Sequence, residues 1–88
     1  MERIVTVAIE EGLHARPAAL FVAAASAAPA NVTIAKEGDP VPADSILSVM
    51  TLGAKAGDVV TLTTDSNSDD DKAALDSLEQ FLLQTVVS

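Results

Sequence analysis

The chain has no cysteine and a single histidine, His14, in 88 residues. The first absence removes disulfide frameworks and thiolate metal sites, and the second removes every motif that needs paired histidines. Basic residues are also scarce, five Lys and Arg against thirteen Asp and Glu, for a formal net charge of −8. That balance argues against nucleic acid and anionic membranes as partners, since both require a basic face, and suits proteins that carry basic patches. No run of about 20 apolar residues occurs, and the N-terminus lacks the basic-then-apolar order of a signal peptide. Neither membrane insertion nor export is expected, which places the chain in the cytoplasm. Its length makes one small domain, 1–88, able to bury roughly 60–65% of its unfolded surface.

Much of the 49% hydrophobic content is alanine, so the larger apolar residues carry the pattern. Residues 3–9 alternate, with Val5, Val7 and Ile9 on one face and Thr6 and Ala8 on the other, which predicts a half-buried strand. From residue 17 to about 28, Leu20, Phe21, Ala24 and Ala28 lay an apolar stripe along a helix that ends before Pro29. Alternation returns over 31–36 with Val32 and Ile34 inward, and Glu37-Gly38-Asp39-Pro40 reads as the turn to a short strand around Val41. Pro40 and Pro42 cannot donate to a ladder, so that strand belongs at a sheet edge. A short helix over 45–51 leads into the loop Gly53-Ala54-Lys55-Ala56-Gly57, and a fourth strand covers 58–64 with Val60 and Leu62 inward.

Ser68 caps a last helix whose first turn holds Asp69, Asp70 and Asp71, and whose buried stripe is Leu75, Leu78, Leu82 and Val86 or Val87. The aspartate run is thereby read as helix-start chemistry in preference to an acidic metal site. The resulting order is βαββαβα. It predicts an α+β open-faced sandwich, a four-stranded antiparallel sheet with three helices on one face.

His14 stands one step before the first helix, in Gly12-Leu13-His14-Ala15-Arg16-Pro17-Ala18. Pro17 marks the helix start, because its fixed φ suits the first turn and its missing N–H has no helical partner there. A helix N-terminus offers unpaired N–H groups and a positive dipole end, so the backbone at Ala15 and Arg16 is a candidate phosphate-binding element. The dipole favours a neutral imidazole, the form able to attack phosphorus, and Arg16 supplies a permanent charge with planar donors to hold the phosphoryl afterwards. Gly12 permits a backbone turn closed to other residues. Read blandly, His14 only caps a helix and Arg16 is a solvated surface residue.

The whole run from Gly12 to Val22 closely resembles the active-site segment of the histidine-containing phosphocarrier (HPr) family of the bacterial sugar phosphotransferase system. The resemblance extends through Ser45-Ile46-Leu47-Ser48-Val49-Met50-Thr51-Leu52-Gly53 and Gly57, and to element order and length. It implies the HPr fold and a phosphocarrier that is no enzyme itself. His14 would accept a phosphoryl on Nδ1 from Enzyme I and pass it to IIA domains of sugar permeases, with no metal or organic cofactor, as a cytoplasmic monomer. A nitrogen-related branch with a regulatory carrier has the same fold and motif. A homologue that docks without carrying phosphate is disfavoured by the presence of both His14 and Arg16.

Ser45 has three readings. As a cap it accepts a backbone N–H. By the resemblance it aligns with the serine that an HPr serine kinase modifies in some lineages, although Asp44 departs from the lysine or asparagine-like neighbour of those proteins. Asp44-Ser45-Ile46 also imitates the attachment motif of acyl carrier proteins, but those are helical bundles, and three alternating segments with a proline-punctuated hairpin speak against one. Ile46, Leu47 and Met50 cannot all face the core of a short helix, so one or two should be exposed. The resemblance makes them partner-docking residues, a role that flexible Met suits.

Overall fold

The computed structural model describes residues 1–87. In chain order it contains β1 (Glu2–Thr6), α1 (Ala15–Ala27), β2 (Thr33–Ala35), β3 (Val41–Pro42), α2 (Ile46–Leu52), β4 (Val59–Thr63) and α3 (Asp69–Leu83). The strands form one antiparallel sheet in the order β1-β4-β2-β3. Val5 stands opposite Val60, and Ile34 opposite Leu62, so four buried side chains share the face that the helices cover. On the other face Ile4 and Val59 remain exposed. This is the open-faced α+β sandwich that the alternation predicts. The proline-bearing β3 lies at the edge, where its missing N–H leaves no ladder bond unmade.

The ladders are shorter than the alternating segments. β1 stops at Thr6 rather than Ile9 because the next donors turn to other partners: Val7 N–H to Asp58, Ala8 N–H to Leu82 and Glu10 N–H to Thr85, all at 2.8–2.9 Å. Val7 and Ile9 are nevertheless buried, as their period requires. Likewise β2 pairs only over Thr33–Ala35 and β4 over Val59–Thr63.

α1 begins two residues before Pro17, which therefore occupies the third helical position. Nothing is lost by this, since a proline anywhere in the first turn removes only an N–H that has no partner. The inward stripe is Ala18, Phe21 and Ala25, while Leu20, Ala24 and Ala28 are only partly buried. Of the three large apolar side chains of α1, Leu20, Phe21 and Val22, only Phe21 is fully buried, and it sets the phase. Phe21 meets Phe81 of α3 edge to face, with centroids 5.5 Å apart.

α3 starts as its sequence predicts. Ser68 Oγ accepts the Asp71 N–H at 3.2 Å, and the Asp71 carboxylate accepts from Ser66 Oγ (2.6 Å), Ser66 N–H (2.8 Å) and Ser68 Oγ (3.1 Å). The Ser66 hydroxyl above all holds the Asp71 carboxyl below its ordinary range. Leu75, Leu78 and Leu82 are fully buried; beyond the helix Val87 is buried and Val86 exposed. Arg3 ties the edge strand to this helix through Asp76 Oδ1 at 2.8 Å and Glu79 Oε1 at 2.6 Å. Among the described residues no helix is long and apolar enough to cross a membrane, and no three His, Cys, Asp or Glu gather as metal ligands.

Candidate phosphoryl-carrying site

The site is built on a buried anchor. Gly12 has φ +71°, and a Cβ there would lie 2.8 Å from the Ala54 carbonyl oxygen and 3.1 Å from Lys55 Cα, so conformation and space both demand glycine. Leu13 follows with a fully buried side chain and an N–H donated to that same Ala54 carbonyl at 2.8 Å. His14 is thereby delivered to the surface as the N-cap of α1, with φ −97° and ψ 173°. Its carbonyl accepts the Ala18 N–H at 2.8 Å, but its ring makes no capping bond. The bland reading of His14 as a side-chain cap therefore fails. By contrast, α2 and α3 are each closed by a serine hydroxyl, Ser45 and Ser68.

Because Pro17 has no N–H and that of Ala18 is taken, the first turn of α1 offers two amides, those of Ala15 and Arg16. They stand beside an exposed imidazole and an exposed guanidinium. Among the described residues the ion pairs engage Arg3 and Lys36, and Arg16 forms none. In a chain of net charge −8 this corner keeps a cation, two donors and a dipole end uncommitted.

The loop behind Gly12 was not legible as part of the site. Asp58 Oδ2 accepts the Lys55 N–H at 2.9 Å and stands 3.1 Å from Lys36 Nζ, which also donates to the Gly53 carbonyl at 3.5 Å. The Lys55 N–H first, then the Lys36 ammonium, hold the Asp58 carboxyl below its usual range. Residues so far apart leave no periodic signal. The only hint was the pair of glycines bounding residues 53–57.

α2 ends where α1 begins. Gly53, with φ +67°, closes the helix and passes directly to Ala54. Ser45 caps the opposite end, its Oγ accepting the Ser48 N–H at 3.4 Å, so the seven-residue helix separates it from Gly53 by about 12 Å at 1.5 Å per residue. Ile46, Leu47 and Met50 are 45%, 74% and 44% exposed. The expectation that only one or two would be outward is corrected. A single fully buried residue, Val49, with partly buried Leu52, suffices to seat so short a helix. A groove of about 520 Å³ lies between α2 and the β2–β3 hairpin, lined by Lys36, Val41, Leu47 and Leu52 among others.

Comparison with known proteins bears on this geometry. A family model described as the PTS HPr component phosphorylation site matches residues 1–84. The chain belongs to the HPr family. It is 46% identical to the phosphocarrier protein HPr of Streptomyces coelicolor over 94% of this chain and 88% of that one. It is also 39% identical to the HPr-like protein Crh of Halalkalibacterium halodurans, over 93% and 95% of the two chains. The crystal structure of an HPr from Bacillus anthracis superposes with a TM-score of 0.86 at 38% identity, over 93% of this chain and 95% of that one. The HPr fold thus accounts for the sheet order and for the helices on one face. Asp44-Ser45-Ile46 accordingly starts the second helix of an HPr-family sandwich, and its likeness to an acyl-carrier motif carries nothing further.

Proposed function

We propose that this HPr-family chain is a phosphoryl carrier of the sugar phosphotransferase system, acting in the cytoplasm as a single-domain monomer. One observation carries the reading: an exposed histidine ring at a helix start, with no capping bond of its own, stands beside two available amides and an arginine free of ion pairs among the described residues. In the step proposed, the Nδ1 lone pair of neutral His14 attacks the phosphorus held by Enzyme I. The new N–P bond forms as the bond to the Enzyme I histidine breaks, and that imidazole leaves with the electron pair. The amides of Ala15 and Arg16 and the Arg16 guanidinium meet the equatorial oxygens. Onward transfer to a IIA domain is the same displacement with His14 as the leaving group. The step needs no metal or organic cofactor.

An open site suits this chemistry, because the docked partner supplies the other wall and excludes water. Ile46, Leu47 and Met50 form the apolar patch for that docking, on the helix whose end abuts the start of α1. Apolar anchors at the centre of an interface carry most of its energy, so Leu47→Asp should weaken docking to Enzyme I at least tenfold, by about 1.5–3 kcal/mol, without changing the fold. Ser45 caps α2, and a phosphate there would act on docking, since it stands at the end of α2 that carries Ile46 and Leu47, opposite the end that Gly53 closes. An acid-stable phosphate appearing with ATP and cell extract supports a kinase site. Unchanged transfer to Ser45→Asp refutes inhibition by charge.

The deciding experiment is incubation with Enzyme I and phosphoenolpyruvate. An acid-labile phosphate is expected on the parent chain and absent from His14→Ala. Its persistence in the variant, or its absence from both, refutes the reading. Onward transfer to a IIA domain of a sugar permease separates the sugar branch from a regulatory one.

A further inference from the structure

The loop 53–58 backs the histidine segment, and its two ends are tied by one ammonium from another element. Lys36, the residue after β2, places Nζ 3.1 Å from Asp58 Oδ2 and 3.5 Å from the Gly53 carbonyl. Asp58 in turn closes the loop on itself, accepting from the Lys55 N–H at 2.9 Å while its own N–H returns to the Lys55 carbonyl at 3.0 Å. Between these ties stands the Ala54 carbonyl that receives the Leu13 N–H, with Gly12 lying flat against it. Both side chains of the pair are 30% exposed, so water screens them only in part.

We infer that Lys36 and Asp58 form a latch that sets the pitch of the Ala54 carbonyl, and through Leu13 the aim of the His14 ring. They are positioning residues for phosphoryl transfer, a role that rests on the carrier reading given above. The chain of contacts is short: ammonium, carboxylate, loop backbone, Leu13 amide, histidine. The first links are an ion pair and hydrogen bonds at the partly exposed edge of the loop, the next is the bond from the buried Leu13 to the Ala54 carbonyl, and the last is the peptide bond to His14. In-line displacement is sensitive to a shift of the ring, since a misplacement of about 1 Å can cost a hundredfold in rate.

Lys36→Met removes the cation and keeps the stem, Lys36→Arg keeps the cation, and Asp58→Asn keeps an acceptor for the Lys55 N–H while removing the charge. In Lys36→Met, hydrogen exchange of the Leu13 amide is expected to quicken about five- to tenfold, the scale of a partly screened pair with its hydrogen bond. Single-turnover transfer from phosphorylated Enzyme I at saturation is expected to fall about tenfold with KM unchanged, and Lys36→Arg to restore both quantities. Asp58→Asn should reproduce Lys36→Met, and the double variant should be no worse than either single one.

Unchanged Leu13 exchange overturns the latch. Faster exchange with an unaltered saturated rate, or a loss confined to KM, overturns the positioning role, and additive single effects overturn the pairing. Absence of acid-labile phosphate on the parent chain refutes the carrier reading itself. That failure is distinguishable, because Leu13 exchange is measured without any phosphoryl group.

Discussion

Replacing Gly12 by alanine tests the construction of the site, and the molecule contains its own control. Gly12 and Gly53 have nearly the same backbone, φ +71° and +67°, so an added Cβ meets the same conformational strain at both, about 1–2 kcal/mol. Their surroundings differ. At Gly53 the nearest atom to the new Cβ is the Thr51 carbonyl oxygen at 3.8 Å, an ordinary contact. At Gly12 it is the Ala54 carbonyl oxygen at 2.8 Å with Lys55 Cα at 3.1 Å, and both are backbone that must itself move. Overpacking of that kind adds about 1–3 kcal/mol. Gly53→Ala should therefore cost about 1–2 kcal/mol and Gly12→Ala about 2–5. At roughly 4–8 °C per kcal/mol for a chain of this size, the melting temperature should fall by about 4–16 °C and about 8–40 °C respectively. Urea titration gives both free energies, and amide spectra locate the change. Gly12→Ala should shift Leu13, His14 and Ala54 together, whereas Gly53→Ala should shift the end of α2. Equal losses of stability, or a Gly12→Ala spectrum unaltered at Ala54, would refute the close approach on which the placement of His14 depends.

Other outcomes follow from packing, capping and charge. Phe21→Ala leaves a cavity between α1 and α3 and removes the edge-to-face pair with Phe81, for a loss of about 3–5 kcal/mol in urea unfolding; a loss below about 1.5 kcal/mol would mean the two helices close over the gap. His14→Ser supplies the hydroxyl cap that α1 lacks and should raise stability by about 0.5–1 kcal/mol while abolishing phosphorylation; a lower urea midpoint would contradict the uncapped helix start. Asp58 and Asp71 are both held below the ordinary carboxylate value of 3.8, so the unfolded chain binds their protons first as pH falls. Their contribution is full above that value and lost as pH drops through the depressed native values. Asp71→Asn should flatten the fall of the urea midpoint below about pH 4, and an unchanged slope would remove Asp71 from this account.

Much of the fold was legible because it rests on period and punctuation. Val5, Val60, Leu62 and Ile34 announced an inward face by alternation, Ser68 announced α3, and the prolines at 40 and 42 announced an edge. What the sequence left open had tertiary causes. β1 ends at Thr6 because Val7 finds partners in Asp58 and Gly57, which local pattern does not reveal. The buried stripe of α1 is phased by the contact of Phe21 with Phe81, which the apolar neighbours Leu20 and Val22 could not indicate. At the site, His14, Arg16 and the amides after them were readable from a proline and a helix start. The backing of Gly12 by Ala54, and of Ala54 by Lys36 and Asp58, joins residues more than forty apart in the first case and about twenty in the second, with no motif between them.

The bare start of α1 links loading to folding. Two helices of this chain are closed by a serine hydroxyl, while the third waits at His14 for an acceptor that its own side chain does not provide. On the proposed reading a phosphoryl on that ring would supply the acceptor, and the loaded chain would be the better capped one. By reciprocity, whatever the phosphoryl contributes to the helix is subtracted from the driving force for passing it on. A single cap is worth about 0.5–2 kcal/mol, which bounds the loss. On that reading the missing third amide at Pro17 keeps the sum toward the lower end of this range, and onward transfer would lose little driving force to the cap.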